Sequence, residues 1–178
     1  MKIILILVFQ LLSLLIIAQR KVNEADIKRI NKEIGTEIVK LQDSLIRADQ
    51  YLKPIDLEFK SDIYKIEKLA AKKIDIDYST AGMTNAVYEL EKGYDKLLNK
   101  YYKILYAKLK PEDKEEFKKS QSNWIKFRDS ERIMIGIVSQ DEYSGGGTIQ
   151  SNLKASRICE ITLKRVYEIK EHIDQFIE

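Results

Sequence analysis

Apolar residues return every third or fourth position through nearly all of this chain, and almost nothing interrupts them. Seven glycines and two prolines in 178 residues leave few places for a helix to stop. Such spacing is the signature of amphipathic helices, which must bury their apolar stripes against one another. The fold class it implies is all-α, an antiparallel helical bundle with an N-terminal helical extension. A chain of this length is most economically one domain with an addition.

The pattern can be followed element by element. Ile27, Ile30, Ile34, Ile38, Leu41, Leu45 and Leu52 step by threes and fours, with Ala48 filling the gap. They predict a helix of about 30 residues that Pro54 stops or kinks. A second helix carries Phe59, Ile63, Ile66 and Ala70. The stretch "IDIDYSTAG" breaks the period, allows a short strand, and places a boundary at Gly82. A third helix, from about Thr80 to Leu109, is apolar on two sides and is expected to be central. Its five tyrosines, Tyr88, Tyr94, Tyr101, Tyr102 and Tyr106, read as buried rings with hydroxyls at the rim, or else as a ligand-binding wall. Pro111 followed by Glu112 and Asp113 starts a fourth helix, with Phe117, Trp124, Phe127, Met134 and Val138 on its inward face. The last helix, from about Ile149 to Ile177, runs through Leu153, Ile158, Thr162, Val166, Ile169 and Ile173.

The first residues follow a different rule. Lys2 precedes an apolar run from Ile3 to Ala18, and basic residues return at Arg20 and Lys21. This is the layout of a secretory signal peptide over residues 1–18, with cleavage after Ala18. Bulky Ile16 weakens the cleavage motif, and an uncleaved anchor is the competing reading, since a span needs about 20 apolar residues. No cysteine follows the run, which excludes a lipoprotein anchor. The expected location is periplasmic or secreted, with no stable membrane insertion once the signal is removed.

Composition excludes several functions. A net charge of +3, from 31 bases and 28 acids interspersed along helices, does not call for a nucleic-acid partner. Cys159 is the single cysteine, so no internal disulfide holds the fold. It reads as a small apolar residue, with an intermolecular bridge as the alternative. His172 is the single histidine, on a terminal helix. No catalytic set, metal-ligand spacing or cofactor motif accompanies it, so neither catalysis, metal nor cofactor is expected. Acid pairs such as Asp75/Asp77 and Glu115/Glu116 arise too easily in charged helices to mark a glycosidase.

Two stretches stand out. In "QSNWIKFRDSE", Gln121, Trp124, Arg128 and Glu131 share one helix side, while Asp129 points elsewhere. Trp124 is either a plug in the bundle or an exposed anchor, the residue type favoured at binding hot spots. Glu131 enters a mostly apolar face and needs a partner, for which Arg128 or Arg165 is suited. The second stretch, "SQDEYSGGG", presents Asp141, Glu142 and Tyr143 before three glycines in a flexible turn. It lacks the strand and the Gly-Lys-Ser/Thr ending of a phosphate loop.

These residues carry a resemblance. "YDKLLNKYY" through Asp95, Leu98, Asn99 and Tyr102, the run through Gln121, Trp124, Arg128, Asp129 and Glu131, the glycine turn, and "CEITLKRVYEI" through Glu160, Thr162, Arg165 and Glu168 together resemble the lysozyme inhibitor LprI-like N-terminal domain family. The resemblance covers about residues 75–177. It implies a domain over 75–178 behind a helical extension at 19–74. It also implies a non-enzymatic envelope protein that binds lysozyme or another envelope protein, with Trp124, Arg128, Asp129, Asp141, Glu142 and Tyr143 as candidate contacts. An alternative is a structural module that self-associates through its N-terminal helix. Members of that family usually carry cysteines where this chain has Arg132 and Arg157, and commonly another at Ala86. Losing such a pair removes about 2–4 kcal/mol of cross-link stabilisation. Two arginines brought together there would also need a carboxylate.

Overall fold

The computed structural model describes residues 20–176. The proposed signal peptide and its cleavage point lie outside the described residues. What is described consists of helices joined by short turns: α1 (Glu24–Ala48), α2 (Pro54–Ile76), α3 (Thr80–Lys108), a 3-10 turn (Pro111–Asp113), α4 (Lys114–Val138), the one-turn α5 (Asp141–Ser144) and α6 (Ile149–Asp174). Among the described residues none of these is long and apolar enough to cross a membrane.

Helix ends follow local chemistry. Asn23 caps α1 in a capping box: its side-chain oxygen accepts from the Asp26 N–H at 3.0 Å, and Asp26 accepts from the Asn23 N–H at 3.0 Å. That helix stops at Ala48, short of Leu52, because Asp49 turns the chain by accepting from the Tyr51 N–H at 2.9 Å. Pro54 therefore does not end α1. It opens α2, where a missing N–H costs nothing. No strand forms over "IDIDYSTAG": α2 continues to Ile76, and Ser79 caps α3 by accepting from the Gly82 N–H at 2.9 Å. A Cβ on Gly82 would sit 2.3 Å from Asp77, so this turn can close only over glycine.

Successive long helices run antiparallel. Lys72 of α2 reaches Glu33 and Glu37 of α1 at 3.0 Å each, and the Tyr94 hydroxyl of α3 donates to Glu67 of α2 at 2.7 Å. Helix α3 is central, as its two apolar sides require: it packs on α2 and, far more extensively, on α6. The core comprises Phe59 and Ile63, Tyr94, Leu97, Leu98, Tyr101 and Leu105, and Cys159, Val166, Ile169 and Ile173. Tyr101 and Tyr94 bury their rings and end in hydrogen bonds to Asp62 (3.0 Å) and Glu67, and Phe59 meets Tyr101 edge-on at 5.0 Å. Burial, with lesser effects of Glu91 and Glu67, pushes the Cys159 thiol up to about 12, which leaves it protonated and unreactive at neutral pH.

Helix α4 departs from the expected pattern. Its fully buried residue is Ile135, and Phe127, Met134 and Val138, expected inside, are exposed. The side that faces in is Phe117, Gln121, Trp124, Arg128, Arg132 and Ile135, rotated from the apolar stripe. Leu153, expected on the buried face of α6, is likewise 48% exposed.

Candidate functional site

The inward side of α4 meets α3 and α6 through polar groups. Trp124 packs on the edge of the core between two guanidinium groups, those of Arg128 and Arg165 at 5.3 and 5.9 Å from its ring. Arg165 is buried and fully employed: it donates to Gln121 at 3.1 Å, Glu168 at 2.9 Å and Ser120 at 3.3 Å. Arg128 donates to Asp129 at 2.9 Å and lies 3.7 Å from Asp95 of α3. One turn further on, Arg132 pairs with Glu91, whose carboxylate also accepts from the Thr162 hydroxyl at 3.0 Å. Charged groups this enclosed persist because each finds an ionic partner, although the buried Arg132 Nε makes no hydrogen bond among the described residues.

This arrangement answers two expectations. Glu131 pairs with neither Arg128 nor Arg165, because both are committed elsewhere and the rotation of α4 puts Glu131 at the edge of the contact. The carboxylate needed beside Arg132 is Glu91, while Arg157 lies exposed. The motif positions Asp95, Gln121, Trp124, Arg128, Thr162 and Arg165, scattered over three helices, thus meet in one seam.

Asp141, Glu142 and Tyr143 are elsewhere. From Trp124 to the end of α4 at Val138 the chain advances about 21 Å along the helix, so these candidates do not form one site with Trp124. They occupy α5, at the far end of the bundle, and all three are exposed. The turn that follows is built on hydrogen bonds: Gly145 N–H to the Asp141 carbonyl at 3.0 Å, Gly146 N–H to the Ser144 hydroxyl at 3.2 Å, and Gln150 Nε2 to the Ser144 carbonyl at 3.3 Å. Its glycines have φ of 76°, 75° and 94°, a left-handed backbone that other residues resist. Three glycines here serve geometry, where looseness was expected.

Around this turn lies what the sequence reading missed. Ile133, Met134, Ile137 and Val138 close α4 with their side chains exposed, Ile133 at 66%. Ile149 and Leu153 open α6, also exposed. Lys154 Nζ comes within 3.5 Å of where a Gly136 Cβ would stand, so the two helix ends are side by side. Tyr143, 65% exposed, stands on the one-turn helix between them, next to exposed Asp141 and Glu142. The i, i+4 pairs Ile133/Ile137 and Ile149/Leu153 were the available signal. They form a second apolar side on α4 and an apolar start on α6 with no inward counterpart.

Exposed apolar side chains and carboxylates on neighbouring segments suit a protein partner that brings an apolar contact and positive charge. Among the described residues no group of three or more His, Cys, Asp or Glu side chains is placed to hold a metal ion. No curated protein and no solved structure matches the chain. A family model does match, over residues 72–169 and hence more than half of the sequence, and by that match the chain belongs to the lysozyme inhibitor LprI family.

Proposed function

We propose that this protein is a non-enzymatic binding protein of the bacterial envelope, periplasmic or secreted, that inhibits a lysozyme by covering its substrate cleft or rim. The contact is the end of the bundle made by the last turns of α4, by α5 and by the first turn of α6. One observation carries this reading: Ile133, Met134, Ile137, Tyr143, Ile149 and Leu153 are all exposed on the three consecutive segments that carry Asp141 and Glu142 at their turn. Lysozymes are commonly basic with acidic clefts, so carboxylates at the contact suit the enzyme's positive rim, and the apolar side chains supply the anchor. Nothing in the chain offers chemical inactivation, which leaves occlusion. Trp124 and Arg128 act indirectly in this reading, by holding α4 at the angle that presents the surface.

A cell-wall lysis assay titrated with the mature protein tests it. Inhibition should be lost in Ile133→Ser/Met134→Ser and weakened in Asp141→Ala/Glu142→Ala, with unchanged melting temperature in both. Full inhibition by both double variants would reject this surface as the contact. A second reading, self-association through α1, draws on the exposure of Val39, Ile46 and Tyr51 along that helix and its turn. A concentration-dependent mass in analytical ultracentrifugation, abolished by Val39→Ser/Ile46→Ser, would favour it.

A further inference from the structure

On the opposite part of the molecule, the junction of α2 and α3 is open to the outside. A groove of about 460 Å³ runs along it, lined by residues between Asp62 and Lys73 of α2 and between Ala86 and Leu97 of α3. At 1.5 Å per residue these stretches make it about 16 Å long. Its floor is apolar, formed by Ile66, Leu69, Ala70, Ala86 and Leu90. Gly93 lets the two helices close beneath it, since a Cβ there would already stand 3.3 Å from Ile66.

The rim is cationic and uncompensated. Of the lining lysines, Lys73 is paired with Glu89, and the carboxylate of Asp62 is taken by Lys100 and Tyr101. Lys65, Lys92 and Lys96 are exposed, and no carboxylate pairs with them among the described residues. The antiparallel register is set by Lys73–Glu89, Tyr94–Glu67 and Tyr101–Asp62, which places Lys65 opposite Lys96. Lys92 follows one turn along. Two ammonium groups therefore face each other near one end of the groove, Lys92 lies midway at the level of Ala70, and Ala86 lines the other end.

We infer that this groove binds a single-chain anionic amphiphile, with its acidic head between Lys65 and Lys96 and its chain running past Lys92 along Leu69, Leu90 and Ala86. The volume falls within the small-molecule range of roughly 300–1,000 Å³. A fully extended chain advances roughly 1.2 Å per bond, so about 12 carbons fill its length. Lone lysines on a solvated helix would need no such floor, and a purely apolar pocket would need no such rim. This site is independent of the lysozyme-facing surface.

Isothermal titration of the mature protein with dodecanoate and with dodecyl phosphate, below their micelle concentrations, tests the inference and distinguishes a carboxylate from a phosphate head. Saturable one-site binding is expected to at least one of them. Each buried methylene should tighten binding about fourfold, so octanoate should bind on the order of 200-fold more weakly than dodecanoate. Lys65→Glu/Lys96→Glu should weaken binding at least about tenfold with an unchanged melting temperature, and Leu90→Trp, which fills the floor, should abolish it. Absence of saturable binding to either probe overturns the proposal. So does binding of neutral dodecyl maltoside as tight as that of dodecanoate, or binding of an acidic helical peptide that the probes do not displace.

Discussion

The two sides of α6 are covered in opposite ways. Toward α3, apolar side chains form the core, with Tyr101, Val166 and Ile169 fully buried. Toward α4, the contact is made by a tryptophan held between two arginines, and ion pairs from α4 reach across to Asp95 and Glu91 of α3. Both arrangements hold a helix in place, but they leave different surfaces behind. A helix that spends its apolar stripe on the core shows polar groups to solvent. Helix α4 docks through polar groups and so keeps an apolar side free, which is what a binding surface requires.

Removing a core ring should produce the largest effect and would test the apolar core side. Tyr101→Ala is expected to cost about 3–5 kcal/mol in urea unfolding, since the cavity lies among side chains that cannot collapse into it. Trp124→Ala should cost less, about 2 kcal/mol, because its ring is only partly buried and part of its contribution comes from stacked guanidinium groups. A loss equal to that of Tyr101→Ala would erase the contrast between the two sides. Unchanged stability with lost partner binding would make Trp124 an exposed anchor.

Acid should act on a third contact, that of α1. The hydrogen bond from Arg20, then that from the Asn23 backbone, hold the Asp26 carboxyl well below the usual range, and Lys72 lowers Glu33 and Glu37. A lowered carboxylate stabilises the fold above its unfolded value of about 4, and that contribution is lost as pH falls below it. The urea midpoint should therefore drop between pH 6 and pH 3, with hydrogen exchange rising first in α1. Asp26→Asn should lower the midpoint at pH 6 and flatten part of the pH dependence. Protection of α1 that was unchanged at pH 3 would mean that packing of Ile30 and Ile34 alone retains it. The smallest effect belongs to the outer side of α4: Ile133→Ser/Met134→Ser should change stability by no more than about 0.5 kcal/mol. A larger loss would show these side chains to be packed, and the contrast with the apolar core side would fail.

Much of the fold was legible because helical periodicity is a local property. The stripe through Tyr94, Leu97 and Tyr101 and that through Thr162, Val166, Ile169 and Ile173 bury as their spacing requires. Less legible was α4, where apolar residues occur on two sides and spacing cannot say which side meets a neighbour. The partners of its charges could not be read either, since Glu91 and Arg132 are 41 residues apart. The buried Lys170, paired with Asp56 and Asp174, escaped for the same reason. The acidic turn was visible as exposed loop chemistry, but not the apolar side chains that surround it.

What the sequence determined by itself is the class of fold, the helices and most of the core, because stripe spacing, caps and the shortage of glycine and proline act over a few residues at a time. It also carried family membership, since the motif residues are ordered along the chain whatever they touch. Only the tertiary structure decided the rotation of α4, the seam that encloses Trp124, the apolar end beside Asp141 and Glu142, and the lysine-edged groove over Gly93. Each depends on which helices become neighbours and at what register, and residues far apart in sequence settle that together when their surfaces compete for the same partner.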